Sequence, residues 1–202
     1  MRTTLLLFVC TLMLGIGSLQ AQVGKGFFAG GGIDGFYSRA ISSNSYSWGI
    51  GTTLKTGYYF TDRWALGLSG TVKYQNSSYM QRSTFYSGGL FLRYAQPIAM
   101  DGRLMLWGEY YANVGVGNYF TLMPASVRYL SNGTSFSTGL SAGLLVMPKK
   151  YLGIEFGIGS MVNYSYLLDS KTHPDSKGQS GLSIFDLRNM SPQLGVHYYF
   201  NR

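Results

Sequence analysis

Residues 103–117 read RLMLWGEYYANVGVG, and Leu104, Leu106, Gly108, Tyr110, Ala112, Val114 and Val116 fall on every second position. Met105, Trp107, Glu109, Tyr111 and Asn113 lie between them. A period of two belongs to a β-strand, whose successive side chains point to opposite faces. The same alternation recurs in eight runs. They are Phe27–Tyr37, Tyr46–Phe60, Trp64–Tyr74, Tyr86–Tyr94, the run just quoted, Phe136–Val146, Leu152–Tyr164 and, roughly, Ile184–Phe200. Pro192 falls inside the last and marks a bulge or a change of register there. A chain patterned this way is all-β.

Composition narrows the class. Charged residues make up 12% and aromatics 16%, with 17 Tyr and 28 Gly. After the leader no segment reaches the roughly 18 apolar residues of a membrane helix. The first 21 residues read as a secretory signal peptide: Arg2, an apolar stretch from Leu5 to Ile16, and small residues up to Ala21. The expected organisation is a signal peptide over 1–21 and one β domain over 22–202. Cys10, the single cysteine, lies inside the leader, so the mature chain has neither disulfide nor thiolate chemistry. Loss of Arg2 takes the formal charge from +8 to +7, but the basic residues are scattered, which argues against nucleic acid as a partner.

The connections alternate in kind. Thr61-Asp62-Arg63, Gln96–Gly102 and Pro148-Lys149-Lys150 are short. Ser38–Ser45, Gln75–Ser83, Asn118–Thr134 and Ser165–Gly181 are longer and polar. Short turns at one end and long loops at the other describe an eight-stranded antiparallel up-and-down transmembrane β-barrel. An even strand count places both mature ends on the short-turn, periplasmic side. A soluble eight-stranded barrel also alternates, but it hides its apolar face inside. Here aromatics stand at the ends of the apolar face: Trp48, Tyr58, Trp64, Tyr74, Tyr86, Tyr94, Tyr164 and Tyr198. These are the expected interfacial girdles. The opposite face carries Gly, Ser, Thr and Tyr rather than the Lys and Glu of a watered surface.

If the apolar face meets lipid, alternation turns Lys55, Lys73, Arg93, Glu109 and Glu155 inward, and Asp34 with them. An eight-stranded barrel is just wide enough for side chains to fill. Counting from the turns predicts one layer holding Glu109, Glu155 and Lys55, with Arg93 lower as the nearest second cation and Lys73 higher. Gly51, Gly89, Gly143, Gly157 and Gly159 would leave room for the long side chains. Two roles compete for such a cluster: a plug that locks the lumen, or a gated path for small ions.

Catalysis and metal binding find little support. His173 shares a loop with Asp175 and Ser176, but Pro174 follows it directly and no strand assembles a nucleophile, base and orienter. His197 reads as a hydrogen-bonded lumen residue. The loop carboxylates fit no calcium or zinc spacing. The glycines of FFAGGGIDGF lack the following helix that a phosphate cradle needs. No cofactor is expected.

The stretches GYYFTDRWALGLSG (57–70), LFLRYAQPI (90–98) and NMSPQLGVHYYF (189–200) resemble the outer-membrane β-barrel domain proteins of the Bacteroidetes type. In architecture that family is similar to the small OmpA, OmpX and opacity-porin barrels. The resemblance implies an eight-stranded barrel with a polar network in its lumen, a role that Lys55, Arg93, Glu109 and Glu155 match in kind. It also implies an assembly signal at the end of the chain; here Tyr198 and Phe200 keep its alternation, although Asn201 and Arg202 displace the aromatic from the last position. With Arg202 as the last residue, no peptidoglycan-binding domain is expected. The expected protein is a monomeric outer-membrane barrel with a structural or surface-interaction role, inserted by the barrel-assembly machinery. Its contacts are outer-membrane lipid and an extracellular ligand met through loops 118–134 and 165–181. A low-conductance porin and a lipid A-modifying enzyme are the alternatives.

Overall fold

The computed structural model describes residues 25–40, 45–77, 81–122, 128–170, 180–184 and 191–200. The expected signal peptide, the loop holding His173, and Asn201-Arg202 lie outside them. Nine strand segments follow in order: β1 Gly26–Ala40, β2 Ser45–Tyr59, β3 Trp64–Ser77, β4 Gln81–Ala99, β5 Leu104–Leu122, β6 Arg128–Lys149, β7 Leu152–Ser170, β8 Ser180–Ile184 and β9 Pro192–Tyr199. Each of β1 to β7 pairs antiparallel with its neighbour in sequence. The sheet closes because β9 pairs with both β7 and β1. β8 and β9 both lie along β7 and together occupy the eighth position. The fold is a closed eight-stranded antiparallel barrel.

The eighth strand differs from its expected course. It begins at Ser180 and is interrupted: Ile184 pairs with Val162 and Pro192 with Ile158. Pro192 opens the second segment, where its missing N–H breaks no ladder. β7 bulges at the same level against β6, which re-aims Ser160 into the lumen.

The long loops also shrink. Paired strand runs through to Leu122↔Arg128, so the expected loop 118–134 is largely hairpin and only 123–127 lie outside the described residues. Likewise β7 reaches Ser170 and β8 starts at Ser180, replacing much of the loop 165–181. The physical reason is that an antiparallel ladder is held by backbone bonds and continues in water after the apolar alternation has ended. At the other end the connections are tight. Thr61 Oγ1 accepts from the backbone N–H of Arg63 and Trp64 (3.3 and 2.9 Å). A short 3₁₀ turn, Met100–Gly102, takes three successive residues through positive φ.

The outside is apolar and the inside is polar or aromatic. Ile50, Leu54, Leu66, Leu68, Val72, Leu90, Val114, Val116, Phe156, Ile158, Leu194 and Val196 are all exposed. Arg93, Glu109, Glu155 and His197 are buried. Aromatics flank the apolar band at two levels. Trp64 packs on Tyr94 (ring centroids 4.9 Å), Phe27 on Tyr58 (4.8 Å) and Tyr198 on Phe200 (5.0 Å) near the short turns. Trp48 packs on Tyr74 (5.7 Å) towards the other end, where Tyr86 and Tyr164 are also exposed. Trp48 and Tyr58 are ten residues apart on β2, and so are Trp64 and Tyr74 on β3. At the usual rise and tilt that is about 23 Å, close to the apolar height of an outer-membrane barrel.

Candidate functional site

The interior divides into three levels. The lowest, next to the short turns, is an apolar floor: Phe28, Tyr59, Ala65, Phe91, Ala95, Met105, Trp107, Leu145, Met147 and Tyr199. These occupy the inward positions nearest the turns, and the sequence expectation of a Gly/Ser/Thr/Tyr lumen missed them. Their rings fit because an inward glycine on the next strand faces each of several of them. Phe28 lies opposite Gly57, Phe91 opposite Gly67, and Trp107 opposite Gly143 with Gly157 beyond. A Cβ at Gly67 would meet Phe91 Cζ at 2.4 Å, and one at Gly143 would meet Trp107 Cζ2 at 2.7 Å. Gly143 and Gly157 therefore make room for an indole rather than for long charged side chains.

The charged cluster sits directly on this floor, with Arg93 at its centre. Its guanidinium donates to Glu109 Oε2 from Nε (2.9 Å) and Nη2 (2.6 Å), and to Glu155 Oε2 from Nη1 (2.6 Å). Lys55 Nζ donates to Glu109 Oε1 (2.6 Å). His197 Nε2 faces Glu155 Oε2 at 3.1 Å. The guanidinium carbon stands 4.6 Å from the centroid of Trp107, a cation–π contact that covers its face. Sequence counting placed Lys55 in one layer with both glutamates and Arg93 lower, as the nearest second cation. The structure corrects that height. β4 continues past Gln96 to Ala99, which raises Arg93 directly opposite Glu109. Glu155 is then held by Arg93 and His197.

Lys73 is elsewhere. It pairs with Asp34 (3.0 Å) above the main cluster. Asp34, Gly51 and Lys73 are in register across β1, β2 and β3, and a Cβ on Gly51 would fall 2.3 Å from Asp34 Oδ1. A glycine lets this pair reach across the intervening strand. Among the described residues the lumen thus holds three cations, Lys55, Lys73 and Arg93, and three carboxylates, Asp34, Glu109 and Glu155. It is neutral in sum, as a low-dielectric interior requires.

The upper level is a cup of about 580 Å³ whose lining includes Thr53, Thr71, Ser69, Asn113, Ser137 and Asn163. The lining groups bond to each other: Thr53 to Thr71 (3.0 Å), Ser69 to Asn113 (3.3 Å), and Tyr111 to both Ser160 and Asn163 (3.0 Å to the latter). Lys55 and Glu109 form its bottom. Charged groups, then aromatic rings, separate the cup from the short-turn end. No group of metal-binding side chains occurs among the described residues.

The shape is shared with known proteins. Neisserial surface protein A is similar with a TM-score of 0.56 at 13% identity, over 86% of this chain and 96% of that one. The outer membrane protein OprG from Pseudomonas aeruginosa is similar with a TM-score of 0.51 at 12% identity, over 91% and 99%. The likeness is one of fold. No protein-family model matches the chain. No curated protein matches it by sequence.

Proposed function

We propose that this protein is an integral outer-membrane β-barrel with a structural or surface-contact role and a lumen locked by its own side chains. The observation that carries the reading is the inverted distribution of polarity: leucines, isoleucines and valines outside between two aromatic levels, and a neutral set of paired charges within. Water would expel such an exterior, whereas hydrocarbon accepts it and requires a closed sheet. An exposed apolar belt of this kind is the mark of a membrane surface. Export by the leader 1–21 and insertion as a monomer by the assembly machinery, which reads Tyr198 and Phe200, complete the proposal. Placement among the Bacteroidetes-type barrels rests on the phrasing at 57–70, 90–98 and 189–200. Contacts with other molecules are made at the long-hairpin end, around 118–134 and 165–181, because loops on a rigid scaffold carry recognition. The protein acts without catalysis. Unboiled samples folded into vesicles should migrate differently from boiled ones on a gel; identical migration would refute the barrel in membranes.

One observation favours a second reading. The cup descends as far as Lys55 and Glu109, half-way to an ion path. A low-conductance channel would need both the Arg93 cluster and the aromatic floor to move. Planar-bilayer recordings of inserted protein separate the two: absent steps support the lock, and stepwise currents support the channel.

A further inference from the structure

Among the described residues the ion pairs of the lumen balance, and a separate set of charges lies outside it. At the short-turn rim stand Lys25, Arg63, Arg103, Lys149 and Lys150, with Asp62 and Asp101 as the carboxylates among the described residues there. The topology collects them at one end: Lys25 precedes β1, and the others belong to the β2–β3, β4–β5 and β6–β7 turns or border them. Among the described residues, no carboxylate forms an ion pair with Lys25, Arg63, Arg103 or Lys149. Among the described residues these four cations are therefore not neutralised by an ion pair.

The position of these cations identifies the kind of partner. Arg63 Nη1 donates to Tyr94 Oη (3.4 Å), and Tyr94 belongs to the outward aromatic level. Lys149 Nζ lies 5.6 Å from the ring centroid of Tyr151, which in turn packs on outward Tyr198 (5.8 Å). The charged heads thus rest against the girdle at headgroup depth instead of reaching away from it. Cations beside interfacial aromatics meet lipid phosphates. We infer that the short-turn rim is a binding surface for anionic glycerophospholipids in the leaflet it faces, with Arg63, Arg103, Lys149 and Lys150 holding the headgroups. The inference rests on the membrane-barrel reading and adds a lipid preference to it.

The test uses the full mature chain carrying Trp48→Phe, so that Trp64 is the remaining lipid-facing indole, folded into vesicles. Quenching of Trp64 by brominated phosphatidylglycerol is compared with quenching by brominated phosphatidylcholine in mixtures of the two. Each cation near an anionic surface is worth roughly a five-fold change in partition. The expected result at low salt is a preference for phosphatidylglycerol of at least five-fold, falling towards none at high salt. Arg103→Gln/Lys149→Gln/Lys150→Gln should lose most of it, and Lys149→Gln alone part of it. Equal quenching by both lipids in the parent, or a preference that survives the triple substitution or high salt, would overturn the inference. Heat-shifted gel migration in phosphatidylcholine alone reports the barrel separately. A chain that shows the shift but no lipid preference sinks this inference and leaves the barrel standing. If the triple variant shows no shift, Lys149→Gln decides: an undiminished preference there counts against the rim.

Discussion

Replacing Arg93 by Met tests the arrangement of the lumen most severely. The side chain is wholly buried and serves two carboxylates at 2.6 Å each. Methionine fills a similar volume without charge, so the change removes the ion and little of the packing. Glu109 would keep Lys55 at 2.6 Å. Glu155 would keep only His197 at 3.1 Å, in a site where its side chain is 6% exposed. Removing one partner of a buried pair costs about 3–5 kcal/mol, because the other charge stays behind without compensation. With a urea slope of about 1–3 kcal/mol per molar, the unfolding midpoint in vesicles should fall by roughly 1–5 M. Tryptophan emission and the heat-shifted gel band would follow the transition. Adding Glu155→Gln to Arg93→Met should recover stability, since the stranded charge is gone. A loss below about 1 kcal/mol for the single change, or no recovery in the double, would refute the reasoning that Arg93 holds both glutamates.

Other substitutions should separate by environment. Lys73→Met should cost about 1–3 kcal/mol in the same urea assay, less than Arg93→Met, because the Lys73 side chain is 46% exposed although Asp34, at 6%, loses its ion-pair partner. Gly67→Ala should destabilise by about 1–3 kcal/mol, since its Cβ would meet Phe91 Cζ and the backbone oxygen of Thr56 at 2.4 Å each. Gly70→Ala on the same strand should be neutral or stabilise by a few tenths of a kcal/mol, because nothing lies within 4 Å of its Cβ; equal losses at Gly67 and Gly70 would contradict the packing described.

Much of the fold was legible because one face of each strand is uniformly apolar and the other carries charge. Lys55, Arg93, Glu109 and Glu155 interrupt apolar runs at every second place, and that parity placed them together. Height was harder to read. It depends on where a strand ends, and the bulged pairing from Pro97 to Ala99 has no mark in the alternation. The aromatic floor was missed for a different reason. Close to the short turns both faces are apolar, as in Phe27-Phe28, Tyr58-Tyr59 and Tyr198-Tyr199, so alternation has no contrast there. Inward parity carried on to the turns, with glycine opposite several of the rings, is the signal that reveals it. The long hairpins escaped because a ladder beyond the membrane needs no apolar face. The break in the eighth strand was partly foreseen from Pro192, but its pairing partners are set by β7.

The three tryptophans allow the most direct test of an apolar outside around a closed inside. Trp64 faces outward at 41% exposure, and Trp107 is 1% exposed beneath Arg93. Two variants folded into vesicles isolate them: Trp48→Phe/Trp107→Phe keeps Trp64, and Trp48→Phe/Trp64→Phe keeps Trp107. Brominated lipid should quench Trp64 strongly and Trp107 weakly, while aqueous acrylamide should leave Trp107 nearly untouched. Lipid quenching of Trp107 equal to that of Trp64, or free access of acrylamide to Trp107, would contradict the account.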